Sequence, residues 1–416
     1  MDSAAALERA YREEATRIRA ALAARIGDVG LAEEAVQDAF VEALEHWRAA
    51  GVPANPGGWL ATTARRKAID RLRRERAGRE KLALLAAAQS AVPGLPGGPG
   101  GQAEPGPGAG LREMDELLGL IFACCHPLLP RDSQVALTLR AVCGLTTGEI
   151  AAAFLAAEPA MAQRLSRARK AFRETGSAVR IPGPGELASR LDEVLAVIYL
   201  LFNEGYLASA GRTPARRDLT AQAVGLNRLL HRLMPREPEV LGLLALLLLH
   251  ESRAATRFDG WGRLVRLRDQ DRGRWDRELI AEATRLLSRA TTMECPGPYQ
   301  LQAAIAVVHA AAPSYERTDW QQVRALYDRL SQFTPSPVVL LNRAVATSYV
   351  LGPEAALSEV DLFAAQLGGY RLFHAVRAEL LADLGRREQA RAANERALAL
   401  AANPAERELL ARRLSL

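Results

Sequence analysis

The chain has 416 residues, with 54 lysines and arginines against 48 aspartates and glutamates and a formal net charge of +6. This length leaves room for two or three domains. Hydrophobic residues make up 49% of the chain but aromatic ones only 5%. The abundance of alanine, leucine, arginine and glutamate is typical of a helical protein and argues against a sandwich or barrel. We therefore expect an all-α fold.

The longest unbroken apolar run is Val240–Leu249. It is much shorter than the roughly 20 residues that a bilayer-spanning helix needs, so we expect a buried core helix and no membrane segment. The N-terminus lacks a basic stretch followed by an apolar one, which predicts a cytoplasmic protein without a secretory signal. The four cysteines include no C-x-x-C pair, which favours reduced thiols over a disulfide framework.

Two helices of opposite charge are predicted near the N-terminus. Residues 31–47 contain five acidic residues and no basic one, whereas residues 59–76 are strongly basic. The second helix has one apolar side, formed by Leu60, Ala64, Ala68 and Leu72. Its basic residues lie mainly on the other side, namely Arg66, Lys67, Arg73 and Arg74. Clustered cations of this kind neutralise phosphates, although a solvated arginine-rich face has the same pattern.

A glycine- and proline-rich segment follows the basic helix. Between Val92 and Leu111 the chain reads PGLPGGPGGQAEPGPGAG, which cannot bury enough apolar surface to offset the entropy lost on ordering. We therefore predict a first helical module over 1–85 and a flexible linker over 86–111. A second Pro-Gly break at 181–185 limits the next module to 112–178 and leaves 186–416 as a C-terminal extension.

The second module has the features of a helix-turn-helix. Thr146 and Glu149 have the spacing of a capping box ahead of a short helix, and Pro159 suits the start of the next helix. The apolar residues of that next helix lie on one side, namely Met161, Leu165, Ala168 and Phe172. Its polar residues lie mostly outside this apolar side, namely Gln163, Arg164, Arg167 and Lys170. A basic second helix predicts DNA binding, with a generic pair of helices as the alternative.

Over the first 175 residues these segments resemble the bacterial RNA polymerase sigma factors of the extracytoplasmic-function type. Residues 31–47 look like the region-two helix that contacts the largest polymerase subunit, and residues 59–76 look like the helix that melts and reads the minus-ten promoter element. Residues 132–174 look like region four, whose second helix reads the minus-thirty-five element. The resemblance implies core RNA polymerase and promoter DNA as partners.

The resemblance also assigns roles to individual residues. It implies polymerase contacts for Glu34, Asp38 and Glu42, minus-ten contacts for Asn55, Trp59, Arg65, Arg66 and Lys67, and minus-thirty-five contacts for Gln163, Arg164 and Arg167. Arg73, Arg74 and Lys170 join the DNA-contacting set because they lie on the same cationic sides. The chain departs from the family at Ala160 and Ala162, where a Thr or Ser and a Lys are usual, so base reading there must differ.

The extension resembles a subgroup that carries a tetratricopeptide-like C-terminal domain. The best single repeat is 371–404, and degenerate helix pairs are predicted at 298–335 and 337–370. Another pair with a long insertion is predicted at 238–293. Stacked pairs of this kind leave a concave groove that a peptide or partner domain can fill.

The insertion alternates aspartate and arginine residues between Phe258 and Trp275. A charge network between repeats is the favoured interpretation, and a carboxylate-based active site over 259–276 is the alternative. The resemblance suggests that this segment takes part in controlling the sigma modules, through Asp259, Gly260, Arg263, Asp269 and Asp271. The segment 198–206 before the repeats is expected to pack against one of them.

No catalytic residue, metal site or cofactor is predicted. His250-Glu251 lacks the second histidine of a zinc-protease helix, and no phosphate-binding loop is present. The Cys124-Cys125-His126 run lacks ligand spacing, so we expect buried structural cysteines, with a thiol redox sensor as the alternative. We interpret the chain as an alternative sigma factor regulated in cis by its extension. The competing interpretation is a helix-turn-helix regulator that does not bind polymerase.

Overall fold

The computed structural model describes residues 3–87, 109–175, 182–208 and 214–414. They belong to two compact units. The first unit comprises the described residues up to Ile150 together with Glu158–Val197. The second unit comprises Ala151–Ala157 together with the described residues from Ile198 onward. The described residues form helices, and their one β-type pairing is an isolated bridge between Phe258 and Leu264. The prediction of an all-α fold is confirmed.

Nine helices belong wholly or partly to the first unit. They are α1 (Ser3–Ile26), α2 (Val29–Ala50), α3 (Pro56–Ala87), α4 (Ala109–Cys124), α5 (Arg131–Ala141), α6 (Thr147–Ala153), α7 (Glu158–Thr175), α8 (Pro184–Ala188) and α9 (Leu191–Tyr206). Residues 88–108, which make up most of the predicted linker, lie outside the described residues.

The two oppositely charged helices form as predicted, because each has a side-chain cap and an apolar stripe. Asp28 caps α2 by accepting a hydrogen bond from the backbone N of Leu31 at 3.0 Å, which satisfies a free donor of the first turn. In α3, Leu60, Ala64 and Ala68 are fully buried. The remaining predicted apolar position, at residue 72, is half-buried.

The predicted helix-turn-helix is also present. The capping box forms in both directions: Glu149 Oε2 accepts from the backbone N of Thr146 at 2.6 Å, and Thr146 Oγ1 accepts from the backbone N of Glu149 at 3.2 Å. A turn separates α6 from α7. All four predicted apolar residues of α7 are buried, namely Met161, Leu165, Ala168 and Phe172.

Within the first unit, α1 packs against helices from both of the predicted modules. It contacts α2 and α3, and it also contacts α4 and α5. Its alanine-rich buried side includes Ala15, Ala20 and Ala23, each at most 2% exposed. Small side chains at these positions allow neighbouring helix backbones to approach closely.

The second unit is a series of helices, each of which contacts the next in most cases. They are α10 (Arg217–Leu233), α11 (Pro238–Glu251), α12 (Arg277–Thr291), α13 (Pro298–Ala311), α14 (Trp320–Phe333), α15 (Pro337–Leu351), α16 (Pro353–Asp361), α17 (Ala364–Leu367), α18 (Arg371–Asp383), α19 (Arg387–Leu400) and α20 (Pro404–Leu414). The predicted helix pairs are confirmed, including the insertion between α11 and α12; their tetratricopeptide character stays a prediction.

Helix α11 lies at the centre of this series. All ten residues of Val240–Leu249 are buried, as predicted, because α11 contacts α10, α12 and α13. A helix that is apolar on every side requires neighbours on every side. None of the helices in the described part of the chain combines the length and apolarity needed to cross a bilayer.

Candidate nucleic-acid and polymerase interface

The acidic side chains of α2 face the basic side chains of α3. Glu34, Asp38 and Glu42 are four residues apart, which places them in one row on the helix. Lys67 Nζ lies 2.6 Å from Glu42 Oε2, and Arg71 Nη2 lies 3.0 Å from Asp38 Oδ2. Arg66 also pairs with Glu42, and Arg71 with Glu34. The predicted polymerase-contacting row therefore adjoins the predicted DNA-contacting helix.

These pairs lie at the surface rather than in a core. The Arg66 side chain is 61% exposed and the Glu34 side chain 60%, so each pair stabilises the fold by about 0–1 kcal/mol. Hydrogen bonds from Lys67 and then Arg66 lower the pKa of Glu42, which is therefore a carboxylate at neutral pH. Because such pairs are weak, the fold loses little stability when they are broken.

The other basic residues predicted on α3 are open to solvent. Arg65, Arg73 and Arg74 are exposed, and Arg74 Nε donates only to the backbone O of Asp70, at 3.3 Å. None of the three forms a side-chain ion pair within the described residues. This stretch of α3 is consequently a cationic surface.

Asn55 and Trp59 lie at the start of α3. Asn55 Oδ1 accepts a hydrogen bond from the backbone N of Gly58 at 2.9 Å, so its side chain caps the helix. Trp59 is half-buried, with its ring 5.8 Å from the ring of the buried Trp47 and 5.6 Å from the ring of His46. Both predicted residues thus also have structural partners.

Helix α7 presents a polar side opposite its buried one. Gln163, Arg167 and Lys170 are exposed, and Arg167 Nε makes only a long 3.5 Å contact with the backbone O of Gln163. Arg164 is half-buried and pairs with Asp132 of α5 at 3.3 Å. The predicted contact residues therefore share one helix, and Arg164 also pairs with α5.

An ion-pair cluster around Glu33 was missed by the sequence analysis. The Glu33 carboxylate is buried, with 7% of the residue exposed. Glu33 Oε1 lies 2.7 Å from Arg140 Nη2 and Glu33 Oε2 lies 2.8 Å from Arg169 Nη2. The cluster joins α2 to α5 and α7. The sequence contains a pattern that indicates the burial of Glu33. At helical spacing Glu33 lies on the same side of α2 as Val29, Val36 and Phe40, which are buried.

Arg19 of α1 makes a second connection to α5. Its Nη1 donates to the backbone O of Arg140 at 2.9 Å and of Ala141 at 3.2 Å. Burial lowers the pKa of Arg19, while the nearby Glu33 carboxylate opposes this change. Gly144 follows α5 with φ +67°, and an added Cβ there would lie 3.3 Å from Arg19 Nη2. A glycine at this position satisfies both the backbone conformation and the close approach.

The insertion after α11 contains the predicted charge network. Asp259 Oδ2 accepts from Arg263 Nε at 2.7 Å, and Asp259 Oδ1 accepts from the backbone N of Trp261 at 3.0 Å and of Arg263 at 2.9 Å. Desolvation alone would raise the pKa of Asp259, but these hydrogen bonds lower it. Gly260, at the tip of this turn, is exposed. Asp259 therefore holds the loop closed.

The remaining charged residues of the insertion serve local or inter-helix contacts. Arg266 Nε donates to Asp269 Oδ2 at 2.6 Å, and Asp271 Oδ1 accepts from the backbone N of Gly273 at 2.9 Å. Arg268 pairs with Glu379 of α18 at 3.1 Å. The insertion therefore contains a charge network that reaches one other helix, α18; that this network joins repeats stays a prediction. No cluster of possible metal ligands occurs among the described residues.

The adjacent cysteines are buried, in agreement with the structural interpretation. Burial raises the pKa of Cys125 to about 12 and raises the pKa of Cys124 well above its ordinary value. Because the thiolate is the reactive form, both thiols have low reactivity at neutral pH. Cys125 Sγ lies 3.8 Å from Thr138 Oγ1, and of the four cysteines only Cys295 is exposed.

Comparisons with known proteins agree with the geometry of the first unit. Residues 10–78 match the family model of sigma-70 region 2, and residues 120–172 match that of sigma-70 region 4. Residues 190–291 match a family of unknown function, DUF6596. The chain therefore belongs to the sigma-70 class and, within it, to the sigma factors of the extracytoplasmic-function type.

Two relatives illustrate the extent of the similarity. An uncharacterized protein of Rhizobium meliloti (strain 1021) is 44% identical over 379 residues, which cover 91% of this chain and 88% of the relative. The ECF RNA polymerase sigma factor SigK of Mycobacterium ulcerans (strain Agy99) is 35% identical over 82 residues, which cover 19% of this chain and 42% of that protein. No solved structure matches the chain. The tetratricopeptide resemblance of 186–416 has no support from these matches.

Proposed function

We propose that this alternative sigma factor binds core RNA polymerase through the acidic row of α2 and contacts promoter DNA through α3 and α7. The row Glu34, Asp38 and Glu42 supplies the negative surface. The basic residues of α3 supply the contacts to the minus-ten element, and Gln163, Arg164 and Arg167 of α7 supply those to the minus-thirty-five element. The protein itself carries out no catalysis, since polymerase performs the chemistry.

One observation carries this proposal: the acidic row and the basic side chains of α3 lie side by side and remain partly exposed. Lys67 and Glu42 are 2.6 Å apart, yet each side chain keeps about a third of its surface open to solvent. Charges arranged in this way steer a binding partner of opposite sign to each row. In a regulator that binds only DNA the acidic row would serve only its ion pairs with α3, so binding to polymerase distinguishes the two interpretations.

The polymerase contact is tested by charge reversal in the full-length protein. Asp38→Lys and Glu42→Lys are expected to weaken binding to bacterial core polymerase by about tenfold or more, because a like-charge contact replaces an attractive one. Glu388→Lys, which reverses the charge of an exposed residue on α19 of the second unit, is the matched control. Binding is measured by fluorescence anisotropy with labelled sigma factor. Unchanged binding in both variants would support the regulator that does not bind polymerase.

The DNA contact is tested by the salt dependence of holoenzyme binding to promoter DNA. Removing one phosphate-contacting charge with Arg167→Ala is expected to lower the slope of log affinity against log salt by about 1. Arg236→Ala removes the same charge from an exposed site in the second unit and serves as the control. Equal slopes for the wild type and Arg167→Ala would exclude a phosphate contact at this residue.

The second part of the proposal is that the extension regulates transcription in cis. Its support is the ordered insertion of Asp259, Gly260, Arg263, Asp269 and Asp271, whose hydrogen bonds hold a defined loop. Opening that loop with Asp259→Asn or Arg263→Gln is expected to change the transcript yield of the full-length protein with core polymerase. Arg274→Gln, an exposed substitution in the same segment, is the control. Wild-type yield in both loop variants would refute a regulatory role for the loop.

A further inference from the structure

The second unit contains a cavity of about 470 Å³ that the sigma activity does not use. Helices α9, α11, α13, α14 and α15 and the insertion line it. Its volume falls within the range of roughly 300–1,000 Å³ that is typical of small-molecule sites. A peptide needs an extended groove rather than a cavity, so a volume of about 470 Å³ favours a compact small molecule as the ligand.

The wall of the cavity combines apolar and aromatic side chains with several polar ones. Leu246, Leu249 and Ile305 form part of the apolar surface, and Tyr199 and Trp275 contribute rings. Two of the polar groups are already paired, because Tyr199 Oη lies 3.1 Å from Gln302 Oε1 and Trp275 Nε1 donates to Thr256 Oγ1 at 3.1 Å. These contacts fix the rings that a planar ligand would touch.

Arg253 is the charged residue on this wall. Its guanidinium donates to Tyr206 Oη at 2.8 Å and lies 2.8 Å from His250 Nδ1. The nearby Arg257 and Arg272 are each 8% exposed. Both bond to backbone oxygens. Within the described residues none of the three arginines forms a direct ion pair with a carboxylate. Glu251 and Glu406 act on Arg257 from a longer distance, and Glu316 acts on Arg272 in the same way.

The two histidines on the wall do not add to the charge of the arginines. Burial, together with the charges of Arg253 and Arg272, lowers the pKa of His309 to about 4. Burial and the same arginine cluster also lower the pKa of His250 well below its ordinary value. Both rings are therefore neutral at pH 7 and act as hydrogen-bonding groups. The Nδ1 atom of His309 is buried and has no hydrogen-bond partner.

We propose that this cavity binds a small aromatic carboxylate, with its acidic group at Arg253 and its ring among the apolar and aromatic side chains. A carboxylate matches the planar fork of a guanidinium and would give Arg253 a direct ion-pair partner in addition to Tyr206 and His250. Burying an aromatic ring among leucine, isoleucine and tryptophan side chains supplies the hydrophobic part of the affinity. This inference concerns binding only and does not depend on the proposed contacts with polymerase and DNA.

The experiment compares acids with their neutral amides in calorimetric titrations of the full-length protein. The probes are phenylacetate and naphthylacetate, each paired with the amide of the same shape. At least one acid is expected to bind with a dissociation constant of about 1 mM or lower, and about tenfold or more tightly than its amide. No binding by either acid, or equal binding of acid and amide, would overturn the proposal.

A variant then tests the position of the acidic group. Arg253→Gln is expected to remove the preference for the acid over the amide, whereas Arg285→Gln, an exposed change on α12, preserves it. Ala306→Phe, which fills the cavity from α13, is expected to abolish binding of both members of the pair. A preference that survives in Arg253→Gln would place the anion elsewhere and refute the site. The acid-to-amide ratio in the wild type decides the matter even where Arg253→Gln fails to fold.

Discussion

Replacing Glu33 by glutamine is expected to destabilise the first unit far more than the same change at the neighbouring Glu34. The substitution keeps the shape of the side chain and removes its charge. Arg140 and Arg169 then lose the carboxylate that lies 2.7 and 2.8 Å from their Nη2 atoms. The two arginines are left partly buried without a counter-charge, and this is the costly outcome of breaking such a pair.

The magnitude follows from how much water reaches the two arginines. Breaking a fully buried pair costs about 3–5 kcal/mol. Here the side chains of Arg140 and Arg169 are 21% and 32% exposed, so solvent recovers part of that loss. We expect the free energy of unfolding to fall by about 2 kcal/mol, which corresponds to a Tm lower by about 4–8 °C for a unit of this size.

Differential scanning calorimetry and urea unfolding of the full-length protein measure this effect. Trp47 and Trp59 are the tryptophans of the first unit, so a variant with Trp261, Trp275 and Trp320 replaced by phenylalanine reports its unfolding separately. Glu34→Gln is the matched control, since Glu34 is exposed and its pair with Arg71 contributes about 0–1 kcal/mol. Equal losses in the two variants would refute the reasoning that burial makes Glu33 the more important residue.

Three other outcomes are expected. Leu247→Ala should lower the free energy of unfolding of the second unit by about 3 kcal/mol, as measured by urea unfolding. Leu233→Ala, at a residue that is 41% exposed, should change it little. Similar losses in the two variants would contradict the burial of Leu247. Iodoacetamide at neutral pH should modify Cys295 and leave Cys125 intact until the protein is unfolded, as measured by mass spectrometry. Fast labelling of Cys125 would argue against its raised pKa. Gly144→Ala should lower the Tm of the first unit, with a cost of about 1–2 kcal/mol from its positive φ, and an unchanged Tm would show that the turn relaxes.

Local patterns were enough to predict several of the helices, although their observed ends differ by several residues, as in α3, which extends from Pro56 to Ala87. The apolar stripe of α3, the capping box before α6 and the apolar side of α7 each depend on residues within one or two turns. The run 240–249 predicted a helix buried on all sides for the same reason. The sequence also placed the acidic row and the cationic helix on separate elements, because charge segregation is visible in the linear order of the residues.

The sequence determined which residues share a helix face, and the tertiary structure decided which faces meet. Glu33 was counted with the acidic residues of α2, but only folding joins it to Arg140 and Arg169, which are more than a hundred positions away along the chain. The arginine-bearing cavity of the second unit is likewise built from five helices and an insertion. Helical periodicity is set by near neighbours in the chain, whereas the burial and pairing of a charge depend on contacts between distant segments.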